Sequence, residues 1–220
     1  MLSVPQKIIK GSDSIKNKLK LLTIWIKVRL HFFIFGSAGV RHNQCLFKVY
    51  PQNYQILGDI FFGNSQVFEA VLGCITADTL FIDIGANIGI FSLGSAAFSG
   101  CEVVAIEPVR STFTALSKNI ELNSVLKVTC LKLAVSSTKK SSYISSSKMS
   151  GINHLVDENN SFEKNSEFVF SVTLDDIFEI FFDKEKHKKI FLKIDVERHE
   201  LEVFATSQKV LVAHELQLGV

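Results

Sequence analysis

The sequence predicts an α/β fold built on a doubly wound, mainly parallel, Rossmann-like sheet. Apolar runs with the length of strands recur from about residue 78, and segments with helical spacing separate them. Three of these runs carry an acid at or next to their carboxyl end: Asp83, Glu107 and Asp195. Since ligands of such sheets bind at the carboxyl ends of the strands, the three acids indicate a functional site there.

Continuous apolar runs predict the strands, because a strand that is buried on both faces carries apolar residues at nearly every position. The main runs are TLFIDI at 79–84, CEVVAIE at 101–107, VTCLKLAV at 128–135 and KIFLKIDV at 189–196. The serine-rich segment 136–166 is typical of a hairpin or a mobile loop. FVFSV at 168–172 predicts a strand beside it, and HELQLGV at the end could begin one more strand.

Helical spacing appears between the strand runs. Small residues after the first run, up to about Phe98, suit a helix. Phe113, Leu116 and Ile120 recur at i, i+3 and i+7, which predicts an amphipathic helix with Asn119 on its polar face. A last helix is expected to place three apolar residues on one side: Leu201, Phe204 and Leu211.

Two adjacent acids, Asp175 and Asp176, follow Thr173 at the start of a further helical pattern. Paired acids could bind a divalent cation together with Asp195. Thr followed three residues later by an acid is also the pattern of a capped helix start, where acids interact favourably with the helix dipole. We favour the cap and predict no metal site.

The chain divides into a basic N-terminal arm and helical cap, residues 1–77, and a Rossmann-like domain, residues 78–220. Residues 1–41 contain eight Lys or Arg and a single acid, Asp13, although the whole chain has a net charge of only +2. Such a segment is typical of a solvated arm or of a contact with an anionic partner.

The stretch 21–40 is apolar but is interrupted by Lys27 and Arg29. It therefore falls short of the roughly 20 apolar residues that a membrane span requires. We expect an amphipathic helix that packs on the domain or makes a peripheral contact with a membrane surface. The expected location is cytoplasmic, with membrane association through this arm as the alternative.

The four cysteines form no Cys-x-x-Cys pair, and no histidine lies at metal-ligand spacing from them. This pattern is typical of reduced, buried cysteines rather than of disulfides or zinc ligands. They are Cys45, Cys74, Cys101 and Cys130.

The turn GANIG at 85–89 follows the first predicted strand and precedes a helix. A dinucleotide fingerprint requires Gly-x-Gly-x-x-Gly so that the backbone can approach a pyrophosphate. Here Asn87 occupies the place of the middle glycine, which argues against a pyrophosphate. Glu107 lies 18 residues beyond Gly89, where an acid accepts hydrogen bonds from ribose hydroxyls in NAD and in adenosylmethionine proteins.

S-adenosylmethionine fits these residues better than NAD does, because it has a ribose but no phosphate. Asp83 and the amides of the turn could bind its amino-acid end, and Glu107 could bind its ribose. An NAD-dependent reductase is disfavoured further because Tyr143 is followed by Ser147 instead of the lysine of a Tyr-x-x-x-Lys pair.

The motifs together resemble the FkbM-type S-adenosylmethionine-dependent methyltransferases. The resemblance covers about residues 79–218 and rests on DIGANIGIFSL, VVAIEP, LSKNIELN, LKLAVSS, VTLDDIF and IFLKIDVERHELEVF in this order. It implies a class I methyltransferase fold and O-methylation of a hydroxyl on a sugar, a glycan or a secondary metabolite. The partner would be a small-molecule or glycan acceptor, and no nucleic acid is expected.

The resemblance also implies roles for individual residues. The cofactor-binding residues would be Asp83, Gly85, Ala86, Asn87, Gly89 and Glu107, with Ala134 and the loop after it near the adenine. Asp195 and Glu197 would face the methyl group and the acceptor, and Asp195 is the first candidate for the catalytic base. Alternatively, Asp195 only caps the following helix. Two histidines are weaker candidates for the base: His154 and His199.

The sequence departs from the family pattern in two ways. Arg198 stands where the family usually has glycine, and Thr206 stands where a helix glycine is common. The sequence also ends at Val220, where a class I fold would continue into a final antiparallel hairpin, so we expect the sheet to lack that hairpin. A catalytically degenerate binding protein or an inactive fragment is therefore the alternative.

Overall fold

A computed structural model describes residues 15–42, 44–51, 65–145, 155–156, 166–196, 199–205 and 217–218. The helices in these ranges are α1 (Ile15–Phe35), α2 (Ser65–Cys74), α3 (Ile90–Ser99), α4 (Arg110–Leu122), α5 (Leu174–Phe181) and α6 (Glu200–Phe204). The strands are β1 (Ala38–His42), β2 (Cys45–Val49), β3 (Thr79–Ile84), β4 (Glu102–Ile106), β5 (Val128–Leu131), β6 (Ala134–Val135), β7 (Lys140–Ser145), β8 (Leu155–Val156), β9 (Ser166–Val172), β10 (Lys189–Ile194) and β11 (Gln217–Leu218).

The central sheet has five parallel strands in the order β11-β10-β3-β4-β5. Every residue of β3 is buried, as its continuous apolar run predicts. The register places Lys193 of β10 and Ala105 of β4 on either side of Asp83. The chain leaves β3 toward β4 on one side and returns to β10 on the other, so the carboxyl end of β3 is the topological switch point.

Helices cover both faces of this sheet, which confirms the predicted doubly wound architecture. Even-numbered residues of β3 pack with apolar residues of α5 and α6, for example Ile82 with Leu174 and Val203. On the other face, Phe81 packs in a cluster with Val71 of α2 and residues of α3. The alternating directions of side chains along a strand produce this division.

The predicted strand 128–135 is two strands rather than one. Its first half, β5, pairs with β4, and the Glu107 amide donates to the Leu131 carbonyl at its end. Its second half, β6, joins a different sheet with the order β6-β9-β7-β8, in which β7 and β9 are antiparallel. The apolar pattern runs on from half-buried β5 into buried β6, but it does not show that the pairing partner changes between them.

The N-terminal segment packs on the domain through α1 and the β1–β2 hairpin. Val28 and Phe32 of α1 share a buried cluster with Phe47 of β2 and Leu93 of α3. The helix expected within 21–40 is therefore present up to Phe35, where the chain turns at Gly36 into β1, but its apolar residues lie on two sides and not on one. No helix within the described ranges is long and apolar enough to cross a membrane.

One prediction about helix faces was wrong, and another is only partly within the described residues. Asn119 is buried, because its side chain accepts from the Lys48 amide at 2.6 Å and donates to the Ile88 carbonyl at 3.0 Å. On α6, Leu201 is exposed, Phe204 is half-buried and Val203 is buried; Leu211, the third residue predicted for the same side, lies outside the described residues. All four cysteines are free: Cys45 and Cys101 are buried, and Cys74 and Cys130 are half-buried.

Candidate active site

The turn after β3 is tight and has three residues with positive φ: Gly85 at 78°, Asn87 at 53° and Gly89 at 91°. Glycine and asparagine are the residues that adopt this conformation most readily. The amides of Gly85 and Ala86 both donate to the Ile106 carbonyl of β4, at 2.9 and 3.0 Å. These bonds fix the turn between the ends of β3 and β4.

Gly85 also lies against the end of β10. The Asp195 amide donates to the Ile84 carbonyl at 2.9 Å. A Cβ atom on Gly85 would overlap the carbonyl group of Asp195, so only glycine fits at this position. The structure thus brings together two stretches that the sequence predicts for the site, the glycine turn and the KIDV segment.

Glu107 is buried at the carboxyl end of β4. One carboxylate oxygen accepts from the Asn87 amide at 3.1 Å, and the other accepts from the Val109 amide at 3.0 Å. Burial raises the pKa of Glu107 to about 7, although the two amides oppose this shift; the nearby Asp83 adds to it. A carboxylate has about four acceptor positions, so Glu107 can accept two further hydrogen bonds.

Asp83 has no solvent exposure. Its carboxylate accepts from the Ser92 hydroxyl at 2.6 Å and pairs with the Lys193 ammonium at 3.2 Å. The side chain thus lies inside the domain and bonds to α3 and β10. Its predicted contact with a ligand stays a prediction.

Lys193 connects the two acids of the site and was not predicted as a functional residue. Its ammonium lies 3.2 Å from Asp83 and 3.3 Å from Asp195, and 5.1 Å from the centre of the Phe91 ring. Burial alone would lower the pKa of Lys193, but the two carboxylates outweigh burial and raise it. The sequence feature that could have identified Lys193 is its position inside the apolar run KIFLKI, because a buried lysine is rare unless it is paired with an acid.

The structure describes three of the remaining predicted residues: Asp195, Ala134 and His199. The Asp195 side chain is 72% exposed, in contrast to Asp83 and Glu107. Ala134 is buried in β6, two residues before Ser136, whose hydroxyl lies 2.9 Å from Nε2 of His199. Four residues considered above lie outside the described residues: His154, Glu197, Arg198 and Thr206.

The acids at the start of α5 form the predicted capping box. The Thr173 hydroxyl accepts from the Asp176 amide, and the Asp176 carboxylate accepts from the Thr173 amide. Lys139 lies 2.6 Å from Asp176, and this contact, followed by the bond from Thr173, lowers the pKa of Asp176 to about 2. Within the described ranges, no three His, Cys, Asp or Glu side chains cluster in a way that could bind a metal ion.

A parallel sheet with a glycine turn at its switch point and a buried acid at the end of the next strand is a Rossmann-like nucleoside-binding arrangement, which class I methyltransferases share with dinucleotide-binding proteins. The family model described as the methyltransferase FkbM domain matches residues 83–217. This match covers more than half of the chain, and the chain belongs to that family. The predicted resemblance to the FkbM-type methyltransferases is therefore confirmed, and S-adenosylmethionine, the cofactor predicted from the sequence, is the cofactor of this family.

Solved structures of several methyltransferases are similar to parts of the chain. M. jannaschii TYW2 in complex with AdoMet is 24% identical over 44% of this chain and 42% of that chain, with a TM-score of 0.36. Pyrococcus abyssi Trm5b is 18% identical over 46% and 31% of the two chains, with a TM-score of 0.35. The chain thus covers less than half of each of these structures, and no curated protein matches it.

The residues present fit S-adenosylmethionine. The two free acceptor positions of Glu107 suit the two hydroxyls of a ribose, and the turn that would carry the rest of the cofactor is fixed against both neighbouring strands. The buried carboxylate with a pKa of about 7 supports this fit, since two donated hydrogen bonds would stabilise its ionised form.

Proposed function

We propose that the protein transfers a methyl group from S-adenosylmethionine to a hydroxyl oxygen of a sugar, a glycan or a secondary metabolite. The observation that supports this proposal is that the carboxyl ends of β3, β4 and β10 lie next to one another. Gly85 contacts Asp195, and Asn87 contacts Glu107, so the turn, the buried acid and the exposed acid border one region.

The cofactor supplies an electrophilic methyl group on a sulfonium. In our proposal Glu107 binds the ribose hydroxyls, and the turn from Gly85 to Gly89, including Ala86 and Asn87, holds the adjacent part of the cofactor. The segment after Ala134 lies on the adenine side. Asp83 contacts the amino-acid end of the cofactor in this proposal, and it also holds Lys193 in place.

Asp195 faces the acceptor in this proposal. Its carboxylate is exposed at the end of β10, and Lys193 holds one of its oxygens. A carboxylate in this position can accept a hydrogen bond from the acceptor hydroxyl and take its proton as the oxygen attacks. A well-placed base contributes roughly 10²–10⁴-fold to a rate. Glu197, two residues further on, is proposed as a second acid on the acceptor side.

The acceptor class comes from the resemblance to the FkbM family. The expectation that no nucleic acid takes part is not supported, since one of the similar solved structures is a complex of aTrm5 and tRNALeu. An acceptor screen should therefore include tRNA beside sugars, glycans and metabolites. We also propose a cytoplasmic location with a peripheral membrane contact through the N-terminal arm.

Calorimetry with S-adenosylmethionine tests the cofactor site. We expect the chain to bind the cofactor and Glu107→Ala to weaken binding at least about tenfold, because two hydrogen bonds to the ribose are lost. Glu121→Gln, which changes an exposed acid on α4, is the control and should bind like the unmodified chain. Equal binding by Glu107→Ala would remove Glu107 from the site.

Transfer of a labelled methyl group to pools of glycans, metabolites and tRNA tests the reaction. We expect label in a hydroxyl-bearing acceptor and a loss of about 10²-fold or more for Asp195→Asn. Label in tRNA alone would contradict the proposed acceptor class. Cofactor binding without transfer to any pool would favour the catalytically degenerate alternative.

A further inference from the structure

Helix α1 has two apolar faces, and only one of them packs against the domain. Ile24, Val28 and Phe32 point toward the domain and pack in the cluster that includes Phe47. Their spacing of four residues places them on one side of the helix. This inner face fixes α1 along the surface of the domain.

The other apolar face is exposed to solvent. It consists of five large side chains that recur at four, seven, four and three residues, and we call it the outer stripe: Ile15, Leu19, Ile26, Leu30 and Phe33. Phe33 is 89% exposed. At about 1.5 Å per residue the outer stripe extends roughly 27 Å, and exposed apolar surface of this extent indicates an interaction site.

Cations of α1 border the outer stripe, and the sequence of α1 itself has no acid. At about 100° per residue, Lys18 and Arg29 lie on one side of the outer stripe and Lys27 lies on the other. The helix sequence contains five Lys or Arg and no Asp or Glu. Arg29 lies 5.7 Å from the ring centre of Trp25, a residue type that favours the boundary between water and lipid.

We propose that the outer stripe binds the surface of a bilayer that contains anionic lipids, with α1 lying parallel to the membrane. An apolar stripe between rows of cations is the pattern of helices that lie at this interface. A second copy of the chain fits less well, because pairing two outer stripes would bring two sets of like charges on α1 together, and like charges across an interface repel.

This geometry gives the domain a defined orientation. The inner face of α1 holds the domain on the water side, while the outer stripe enters the boundary between headgroups and acyl chains. The inference concerns a surface separate from the strand ends described above, so it does not depend on the proposed methyl transfer.

Cosedimentation of the 220-residue chain with vesicles tests the proposal. We expect binding to phosphatidylcholine vesicles that contain phosphatidylserine, weaker binding to phosphatidylcholine alone, and a decrease with added salt, because salt screens the contribution of the cations. Leu30→Glu should weaken binding about tenfold or more, since it places an acid in the middle of the outer stripe.

Ile180→Glu is the matched control, because it introduces the same acid at an exposed apolar position of another helix, α5. It should bind vesicles like the unmodified chain, and circular dichroism should show both variants folded. Failure of the unmodified chain to bind anionic vesicles, or equal losses in the two variants, would overturn the proposal. A dimer in sedimentation velocity that Leu30→Glu dissociates would assign the outer stripe to self-association instead.

Discussion

Glu107 is buried at the proposed cofactor site. In the protein without cofactor, burial disfavours the ionised carboxylate, which is the form that would accept hydrogen bonds from a ribose. Its pKa of about 7 lies above its ordinary value of 4.5, so the folded state holds a proton over a pH range in which the unfolded chain has lost it. Stability therefore falls as the pH rises from about 4.5 toward about 7. A ribose that donates hydrogen bonds to the Glu107 carboxylate would stabilise its ionised form and so offset part of this loss of stability.

We predict that Glu107→Gln removes this pH dependence. Between about pH 5 and about pH 8, the free energy of unfolding of the variant should improve relative to the unmodified chain by about 2–3 kcal/mol. Urea unfolding without cofactor at the two pH values measures the difference. Glu121→Gln, at an exposed site, should leave the pH dependence as it is, and a parallel pH dependence for Glu107→Gln would show that Glu107 titrates normally.

The contact of Lys193 with Asp83 could not be predicted from the sequence. Its run predicts a buried strand correctly, but only the register shows that Lys193 lies beside Asp83. Sequence spacing contains no information about which residues of two distant strands become neighbours. Asp83, Glu107 and Asp195 could be predicted because each lies at a strand end, and strand ends are visible in the apolar pattern.

We predict strong coupling between Asp83 and Lys193. Lys193→Met should destabilise the protein by about 3 kcal/mol or more, because it removes one partner of a buried ion pair and leaves the Asp83 carboxyl group in the interior without it. The double variant Asp83→Asn/Lys193→Met should lose less than the sum of the two single variants, by at least about 1 kcal/mol. Additive losses in urea unfolding would mean that the contact contributes little.

At the scale of elements, the site depends on how closely two strand ends approach each other. Gly85 and Gly100 offer a comparison within one chain. Both have positive φ, 78° and 72°, but a Cβ on Gly100 would meet no atom within 4 Å, whereas one on Gly85 would overlap the Asp195 carbonyl. The backbone conformation alone therefore cannot account for a difference between substitutions at the two positions.

We predict that Gly100→Ala costs about 1 kcal/mol, the strain of a left-handed alanine. Gly85→Ala should cost about 1–3 kcal/mol more, because β10 must move away from the turn. It should also weaken S-adenosylmethionine binding, whereas Gly100→Ala should not. Denaturant unfolding and calorimetry on both variants measure these effects, and equal losses would show that the contact with β10 is unimportant.

Among the elements, local interactions could be predicted from the sequence, but pairings between distant segments could not. The capped start of α5 was predictable because Thr173 and Asp176 interact locally, three residues apart. The division of 128–135 between two sheets was not predictable, because the pairing partners of β5 and β6 are distant in sequence. The same holds for Asn119, whose type predicts exposure and whose partners come from β2 and the glycine turn.

At the scale of the whole molecule, the order of strands and helices was predictable because continuous apolar runs alternate with segments of helical spacing. Such an alternation of strands and helices predicts a parallel sheet. The boundary predicted near residue 77 stays a prediction. The packing of Val28, Phe32 and Phe47 with Leu93 leads us to propose that the N-terminal segment folds together with the methyltransferase domain. Phe47 is the best probe, since it is fully buried among elements from both parts.

We predict that Phe47→Ala destabilises the entire chain by about 3–5 kcal/mol and lowers its melting temperature in one transition. The cavity would lie between the β1–β2 hairpin and helix α3, so both parts lose contacts at once. Leu46→Ala is the control: Leu46 neighbours Phe47 on β2 but is exposed, so its loss should stay below about 1 kcal/mol. Two separate transitions in calorimetry, of which Phe47→Ala shifts only the first, would instead show that the N-terminal segment unfolds independently of the domain that holds Glu107 and Asp195.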